Sequence, residues 1–368
     1  MRLEKISLFN FKNYENAELV LGEGVNCFVG PNGSGKTNLL DAIHYLSFGK
    51  SAFSSNDHQH IRHGENGWVV TGSFFFENVR SIIGVSVPAG KKKEVFLDKK
   101  PYERLSDHVG KYPSVLVTPY DTDLIRGSSE GRRKFFDSAL SQLDKSYLDE
   151  LIKYHHLLKQ RNSLLKRFFE QRQTDRELLE PYDLQLAASG EQVLQKRRVL
   201  LDIYSPLFVA AYVFFANDKE IPLLTYQPTL VEGKLYDQLK ANYTTDYYAQ
   251  RTTIGPHADD YEFSINGLSV KKFGSQGQQK TFLIALKLGV FNLLENTLKR
   301  KPLLLLDDIF DKLDPDRVGK LMELVQQDHF GQVFITDASP ERCKDALIHI
   351  HKSVNFFSVN EGSVHPNV

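Results

Sequence analysis

Gly30-Pro31-Asn32-Gly33-Ser34-Gly35-Lys36-Thr37 is the stretch from which the rest of the chain is read. Its spacing is G-x-x-x-x-G-K-[ST], the phosphate-binding loop. Glycines there let successive backbone N–H groups curl around phosphate oxygens, where a Cβ would obstruct. Lys36 is placed to reach the outer phosphates, and Thr37 to offer a hydroxyl to magnesium, with Asn38 next to them at the helix start. The pattern alone is a weak signal, so its flanks matter. Residues 25–29 read as a short buried strand, and Leu39, Leu40, Ile43 and Leu46 recur at helical spacing behind the loop. Gly49 is suited to end that helix in the left-handed region. A strand, a glycine-rich turn and a helix whose N-terminus faces the turn make an anion site.

Composition bounds the rest. The 368 residues suggest about two domains. Hydrophobic residues make up 41% and charged ones 25%, the balance of a globular chain without bulk disorder. Lys plus Arg and Asp plus Glu are equal at 46 each, so attraction to nucleic acid has to come from local patches. Two cysteines, Cys27 and Cys343, are too few for a disulfide framework or a zinc site. The first residues alternate charge and lack the apolar core of a signal peptide, and no uninterrupted apolar run approaches the roughly 18 residues of a membrane span. The expectation is a cytoplasmic protein with no membrane partner.

Loose alternation over residues 3–20 predicts two antiparallel strands joined at 10–14. Lys12 and Asn13 fall in that turn, where solvated side chains are common. Residues 68–76, 79–87 and 94–97 predict a meander. Five lysines, at 91–93 and 99–100, surround one of its hairpins; they form a solvated turn or an edge that meets phosphates. A strand at 114–118 stops at Pro119. From about Ser129 the pattern turns helical, with helices at 129–143, 146–173 and 182–215, the last two separated at Pro181. No heptad is sustained, so a long coiled coil is not expected. Arg132-Arg133-Lys134 and Lys196-Arg197-Arg198 read as solvated helix faces. A strand at 223–226 and a helix near 235–247 lead to Gly255-Pro256-His257, and Asn266-Gly267 marks a hairpin over 261–270. The acidic pair Asp259-Asp260 has no identifiable metal partner. The divisions are 1–128, a strand-rich lobe with the phosphate loop; 129–250, a helical lobe; and 251–368, a return to the first lobe.

Ser275-Gln276-Gly277-Gln278-Gln279-Lys280 opens a long helix. Ser275 and Gln278 have capping-box spacing, and Gly277 beside them leaves a small, polar helix start able to meet an anion. Four leucines, 303–306, then run into Asp307-Asp308, like a buried parallel strand ending where ligands bind in α/β sheets. Adjacent strand side chains point opposite ways, so Asp307 is read toward magnesium and Asp308 toward an attacking water. Asp314-Pro315 starts a further helix, and residues 333–337 form a further strand.

The order of phosphate loop, inserted helices, serine-glycine helix start, acid-tipped apolar strand and Asp-x-x-Asp is that of ABC-type ATPases. Residues 275–280 are similar to their signature motif in the form DNA-repair members carry. With Gly255-Pro256-His257, Lys159-Gln160-Arg161-Asn162 and no room for long coiled-coil arms, the chain resembles the RecF family of bacterial recombination mediators. That implies an α/β fold: an ABC-type ATPase lobe with a mixed sheet, plus an inserted helical lobe. It implies ATP and Mg2+ as cofactors, with Lys36, Thr37 and Asp307 holding them and Asp308 promoting hydrolysis. By the same resemblance Lys12 and Asn13 lie near the nucleotide, Ser275 touches the γ-phosphate bound by a partner subunit, and Asp314 sits at the dimer interface. The implied partners are duplex and gapped DNA, a second copy of the chain in an ATP-dependent homodimer, and RecR and RecO, acting together on RecA; hydrolysis would be slow, as in a switch. Three features depart from the pattern: Thr336-Asp337 where many ABC ATPases have a switch histidine, no Q-loop glutamine over 118–127, and Ala258 at a position often basic. Two other readings compete, the ATPase subunit of a membrane transporter and an SMC-like chromosome protein.

Overall fold

The computed structural model describes residues 1–216, 220–230 and 234–367, without the side chains of 311, 312 and 367. They cluster into two compact units, Met1–Asp121 with Ile284–Val368, and Thr122–Leu283. The first unit opens with a hairpin, β1 (Arg2–Phe11) and β2 (Tyr14–Val20), paired antiparallel so that Phe11 faces Tyr14. The connection is therefore the two residues Lys12-Asn13, with Lys12 at φ 55. β3 (Val25–Val29), buried throughout, feeds the phosphate loop and α1 (Lys36–Phe48). Gly49 ends α1 at φ 63, its N–H donating to the Tyr45 carbonyl, as a left-handed cap does.

The meander follows as β4 (Gly67–Phe76), β5 (Val79–Pro88), β6 (Glu94–Leu97) and β7 (Lys100–Pro101). Glu77 and Asn78 take φ 50 and 63, the mirror-image turn whose twist matches a tight hairpin. With the first hairpin these strands form an antiparallel sheet in the order β2-β1-β4-β5-β6-β7. β8 (Ser114–Val117) starts the edge of a second sheet.

The second unit begins with α2 (Thr122–Arg126), α3 (Ser129–Leu143), α4 (Lys145–Glu170) and α5 (Arg176–Phe215). Pro181 does not separate the last two. It lies inside α5, at the helix's sixth residue, where a missing N–H forfeits one bond near the end. The interruption falls earlier: Arg172 takes φ 50, and the Asp175 carboxylate caps α5 by accepting from the Leu178 N–H. The expected helix near 235–247 is also two, α6 (Leu235–Ala241) and α7 (Tyr243–Ala249), meeting at Asn242. β9 (Pro222–Gln227), β10 (Asp260–Ile265) and β11 (Leu268–Ser269) make a three-stranded antiparallel sheet in the order β11-β10-β9, and Asn266-Gly267 turns its hairpin at φ 50 and 78. α8 (Val270–Phe273) leads into α9 (Gln276–Leu298), the helix in which the chain passes back to the first unit.

β12 (Leu303–Asp307), α10 (Ile309–Lys312), α11 (Pro315–Gln326), β13 (Val333–Asp337), α12 (Pro340–Leu347), β14 (Val354–Asn360) and β15 (Ser363–Asn367) complete the chain. The second sheet runs β15-β14-β3-β13-β12-β8, parallel except for β15. Burial of every residue in β3, β12 and β13 is what central parallel strands covered on both faces require. α1 touches strands of both sheets and buries 11 of its 13 residues, the polar Lys36, Asp41, His44 and Ser47 among them, so little of it faces solvent. Among the described residues two helices, α5 and α9, are long and apolar enough on average to cross a membrane, although polar residues interrupt both. The most apolar stretch of α9 is 72% buried in this fold and that of α5 39%. Phe208 and Tyr212 of α5 pack on Phe282 of α9 within the second unit's core.

Candidate functional site

The phosphate loop leaves the end of β3, where the Gly30 N–H donates to the Asp337 carbonyl at the tip of the neighbouring strand. Gly33 and Gly35 take φ 81 and 116, conformations that side chains resist. A Cβ on Gly30 would lie 2.0 Å from the Val359 carbonyl, and one on Gly35 2.5 Å from the Asn13 amide. Gly30 is therefore demanded by crowding, Gly33 by φ, and Gly35 by both. Lys36 folds back over its own loop and donates to the carbonyls of Gly30 (2.8 Å) and Pro31 (3.0 Å). Among the described residues the buried hydroxyl of Ser34 has no hydrogen-bond partner. A left-handed loop, a lysine curled over it and an orphaned buried hydroxyl fit a bound phosphate chain.

The loop is braced from two sides. Asn13 donates to the Ser34 carbonyl (2.9 Å), accepts from Asn38 (2.8 Å), and its neighbour Tyr14 donates to the Gly35 carbonyl (3.0 Å). From the other side the Gly362 N–H also donates to the Ser34 carbonyl (3.0 Å), in a turn where a Cβ would lie 2.2 Å from the Asn13 carbonyl. That turn lies beyond the elements expected from sequence; its signal is Glu361-Gly362, at φ 46 and 79. Lys12 is held by Asp41 of α1 (2.7 Å), a carboxylate that also accepts from the Ser51 hydroxyl and the Ala52 N–H. It reaches the loop's neighbourhood through an ion pair, and Asn13 through direct contact.

The two acids at the end of β12 stand on different backbone, for only Asp307 belongs to the strand. Asp307 ends the strand and accepts from Thr37 at 3.0 Å on both oxygens and from Thr336 at 2.7 Å. Burial pushes its carboxyl up, against the pull of the two hydroxyls. Asp308 follows with a left-handed backbone, at φ 45, and its N–H donates to the Thr336 hydroxyl. It lies outside the strand, at the start of α10, so strand alternation does not govern it. A hydroxyl and a carboxylate side by side suit a hard cation such as Mg2+. Among the described residues no three His, Cys, Asp or Glu gather to hold a metal by themselves, so oxygens from elsewhere would complete such a shell.

Thr336 and Asp337 both act within the fold. Thr336 bridges Asp307 to the Asp308 backbone, while the buried Asp337 carboxylate accepts from Arg342 (2.8 Å) and the Ser339 N–H (2.7 Å). In the region without a Q-loop glutamine, Asp121 pairs with Lys287 (2.7 Å). Asp314 caps α11, accepting from the Arg317 N–H (3.1 Å), and pairs with the Arg317 side chain.

Ser275, Gly277 and Gln278 belong to the second unit. The capping box is formed in both directions: Ser275 N–H to the Gln278 side chain at 2.8 Å, and Gln278 N–H to the Ser275 hydroxyl at 3.2 Å. Ser275 is exposed, and the Gln278 amide donates to Glu220 (2.8 Å). Two basic clusters read as solvated faces are partly core. Arg132 grips Asp260 with two bonds (2.7 and 2.9 Å), and Arg197 grips Asp137 and the Pro256 carbonyl. Their carboxylate partners are far away in sequence, so nothing local signals the burial.

A family model described as RecF/RecN/SMC N terminal domain matches residues 2–363. The DNA replication and repair protein RecF of Cytophaga hutchinsonii is 45% identical over 364 residues, covering 99% of this chain and 96% of that protein. A solved structure of the recombination mediator protein RecF-ATP in the RecFOR pathway superposes with a TM-score of 0.88 at 28% identity, covering 100% of this chain and 97% of that one. The Smc head domain of Pyrococcus furiosus, at 17% identity and a TM-score of 0.57, shares the fold.

Proposed function

The chain belongs to the RecF family of DNA replication and repair proteins, and from that premise we propose that it is an ATP-gated DNA clamp. Two copies would sandwich two ATP molecules, each held by the phosphate loop of one copy and the Ser275 end of α9 in the other. The clamp would close on duplex or gapped DNA and, with RecR and RecO, promote loading of RecA in recombinational gap repair and replication restart.

The observation that carries this is the division of the candidate site. Gly30 to Asn38, Asn13, Thr37 and Asp307 are assembled within one unit, with an unpartnered Ser34 hydroxyl in the cradle. Lys36 would move from its own loop carbonyls onto phosphate oxygens. Magnesium, when bound at Thr37 and Asp307, would offset phosphate charge. Asp308 would orient the attacking water, with its backbone fixed by Thr336. Nothing in this machinery demands fast turnover. A ligand that binds only the closed pair shifts the equilibrium by its differential affinity, so hydrolysis serves to reopen it. A transporter role finds no support in relatives that match end to end and are DNA repair proteins.

The test is light scattering of the Asp308→Asn variant with and without ATP. The expected result is a monomer without nucleotide and a persistent dimer with ATP. A monomer at saturating ATP would overturn the clamp.

A further inference from the structure

We propose that a shallow cavity of about 420 Å3 on the second unit, lined by His155, Lys159, Asn162, Lys166, Gln250 and Arg251, anchors backbone phosphates of a nucleic-acid strand. The proposal rests on the DNA-binding reading above and names a site for it. Residues 155, 159, 162 and 166 recur at steps of four, three and four, which puts them on one face of α4. The opposite face, with Tyr154, Leu157, Leu165 and Phe168, is buried. So far this describes any amphipathic helix.

What distinguishes it is the charge buried behind the polar face. Arg161 has no solvent exposure; it donates to Asp183 (2.6 Å), Asp246 (2.7 Å) and the Thr252 hydroxyl (2.8 Å). Asp246, equally buried, also accepts from Asn242 and from the N–H and hydroxyl of Thr253. Burial pushes the Asp183 carboxyl up even beside the guanidinium. Such a triad is costly to desolvate, and apolar packing would often stabilise a core as well. It does, however, set geometry. It ties the turn at 250–253 to α4, so that the N–H and hydroxyl of Thr252 both donate to the Asn162 carbonyl oxygen at 2.7 Å. The amide of Asn162 is thereby oriented, with its NH2 left as the end free of those bonds, in the cavity wall. Gln250 takes the left-handed φ of 54 that carries the chain to Arg251.

The lining has no carboxylate. Among the described residues neither Lys159 nor Arg251 has an acidic side chain within ion-pair distance, whereas Lys166 sits 3.8 Å from Glu170. Two uncompensated cations beside an oriented amide donor suit an anion with several oxygens. The cavity is open and holds a single aliphatic side chain, Leu158. A peptide interface needs apolar anchors at its centre, and an enclosed small-molecule site needs apolar walls. A phosphodiester strand lying across the shelf needs neither.

The experiment measures binding of the full-length protein to a fluorescent duplex with ATP, across a salt series. Lys159→Ala with Arg251→Ala should lower affinity roughly tenfold and reduce the slope of log K against log salt by about 2, one for each phosphate no longer neutralised. The charge-preserving exchange Lys159→Arg with Arg251→Lys should bind like wild type. Asn162→Asp keeps an acceptor for Thr252 but places a carboxylate in the wall, so it should weaken binding at an unchanged melting temperature. If the wild type binds duplex and these variants match it in affinity and slope, the anchor is wrong and the DNA reading stands. If the wild type binds no duplex even at low salt, both fall. If DNA binding survives while binding of a polyglutamate peptide of equal charge is abolished, the cavity serves an acidic protein and the proposal is overturned.

Discussion

Two helices of this molecule begin at small, polar, glycine-bearing turns, and they are built on opposite plans. α1 starts in the interior, where Ser34, Gly35 and Lys36 are buried and segments around Asn13, Asp307 and Gly362 converge on the loop. α9 starts in the open, and four adjacent residues close its cap without help. The first N-terminus is a cradle whose shape depends on the whole unit. The second closes its cap from adjacent residues and leaves Ser275 exposed. Ser275 accepts from the Gln278 N–H, so its own proton remains able to donate, and the cap and a phosphate contact are compatible. That is the physical basis for assigning the first site to nucleotide held within one copy and the second to nucleotide held by another.

The contrast is broken most severely by alanine at the two glycines. Gly35 takes φ 116, and its Cβ would fall 2.5 Å from the Asn13 amide and 2.9 Å from the Tyr14 hydroxyl. Gly35→Ala should cost about 3 kcal/mol through strain and displacement of the brace, lowering the melting temperature by several degrees and weakening ATP binding. Gly277→Ala lies within the first turn of α9, where alanine is the better helix former, so stability should hold or rise by up to about 1 kcal/mol. Calorimetry of the two variants decides it, and equal losses would mean that the two helix starts are not built differently.

A smaller effect separates them by pH. His44 is buried within α1, stacked on Phe48, and burial holds its imidazole down at about 4. The unfolded chain takes up this proton below about pH 6.5, while the folded one resists it until about 4. The stability this residue contributes is therefore fully present above pH 6.5 and is lost as pH falls toward 4, by about 2 kcal/mol at pH 5. His44→Phe should flatten the melting-temperature profile between pH 7.5 and 5. An equally steep profile in that variant would place the acid sensitivity elsewhere, His108 being the next candidate because burial holds it at about 4 as well.

These differences bear on what a sequence discloses. Most strands up to β13, the phosphate loop, the Asn266-Gly267 hairpin and the Ser275 cap are legible because each rests on neighbours in the chain: a buried run, a turn dipeptide, a three-residue spacing; β14 and β15 are not among them. The brace around the loop is not, since Lys12 meets Asp41 29 residues on and Thr37 meets Asp307 270 residues on. Thr336 looked like a replacement for a histidine, yet it is the strut between Asp307 and the Asp308 backbone. Arg132 and Arg197 looked solvated because their carboxylates, Asp260 and Asp137, lie 128 and 60 residues away. Pro181 misled for a different reason: a proline near a helix start costs one bond, which the rest of a 40-residue helix outweighs.

The mildest way to sharpen the contrast is Ser275→Ala. Removing the hydroxyl leaves the Gln278 N–H without its cap, while the reciprocal bond from the Ser275 N–H to the Gln278 side chain can persist because it uses backbone. The loss expected from half a capping box at an exposed helix end is about 1 kcal/mol, near the limit of a thermal melt. If capping were the whole task of this serine, Ser275→Asp, which also caps well, would restore wild-type behaviour in every assay. If the hydroxyl also meets a phosphate from another copy, aspartate restores the melting temperature and still abolishes the ATP-driven dimer, because it sets a carboxylate against the phosphate. Stability and assembly would then part company at one atom, and a Ser275→Asp protein that dimerised normally with ATP would confine this helix start to folding alone.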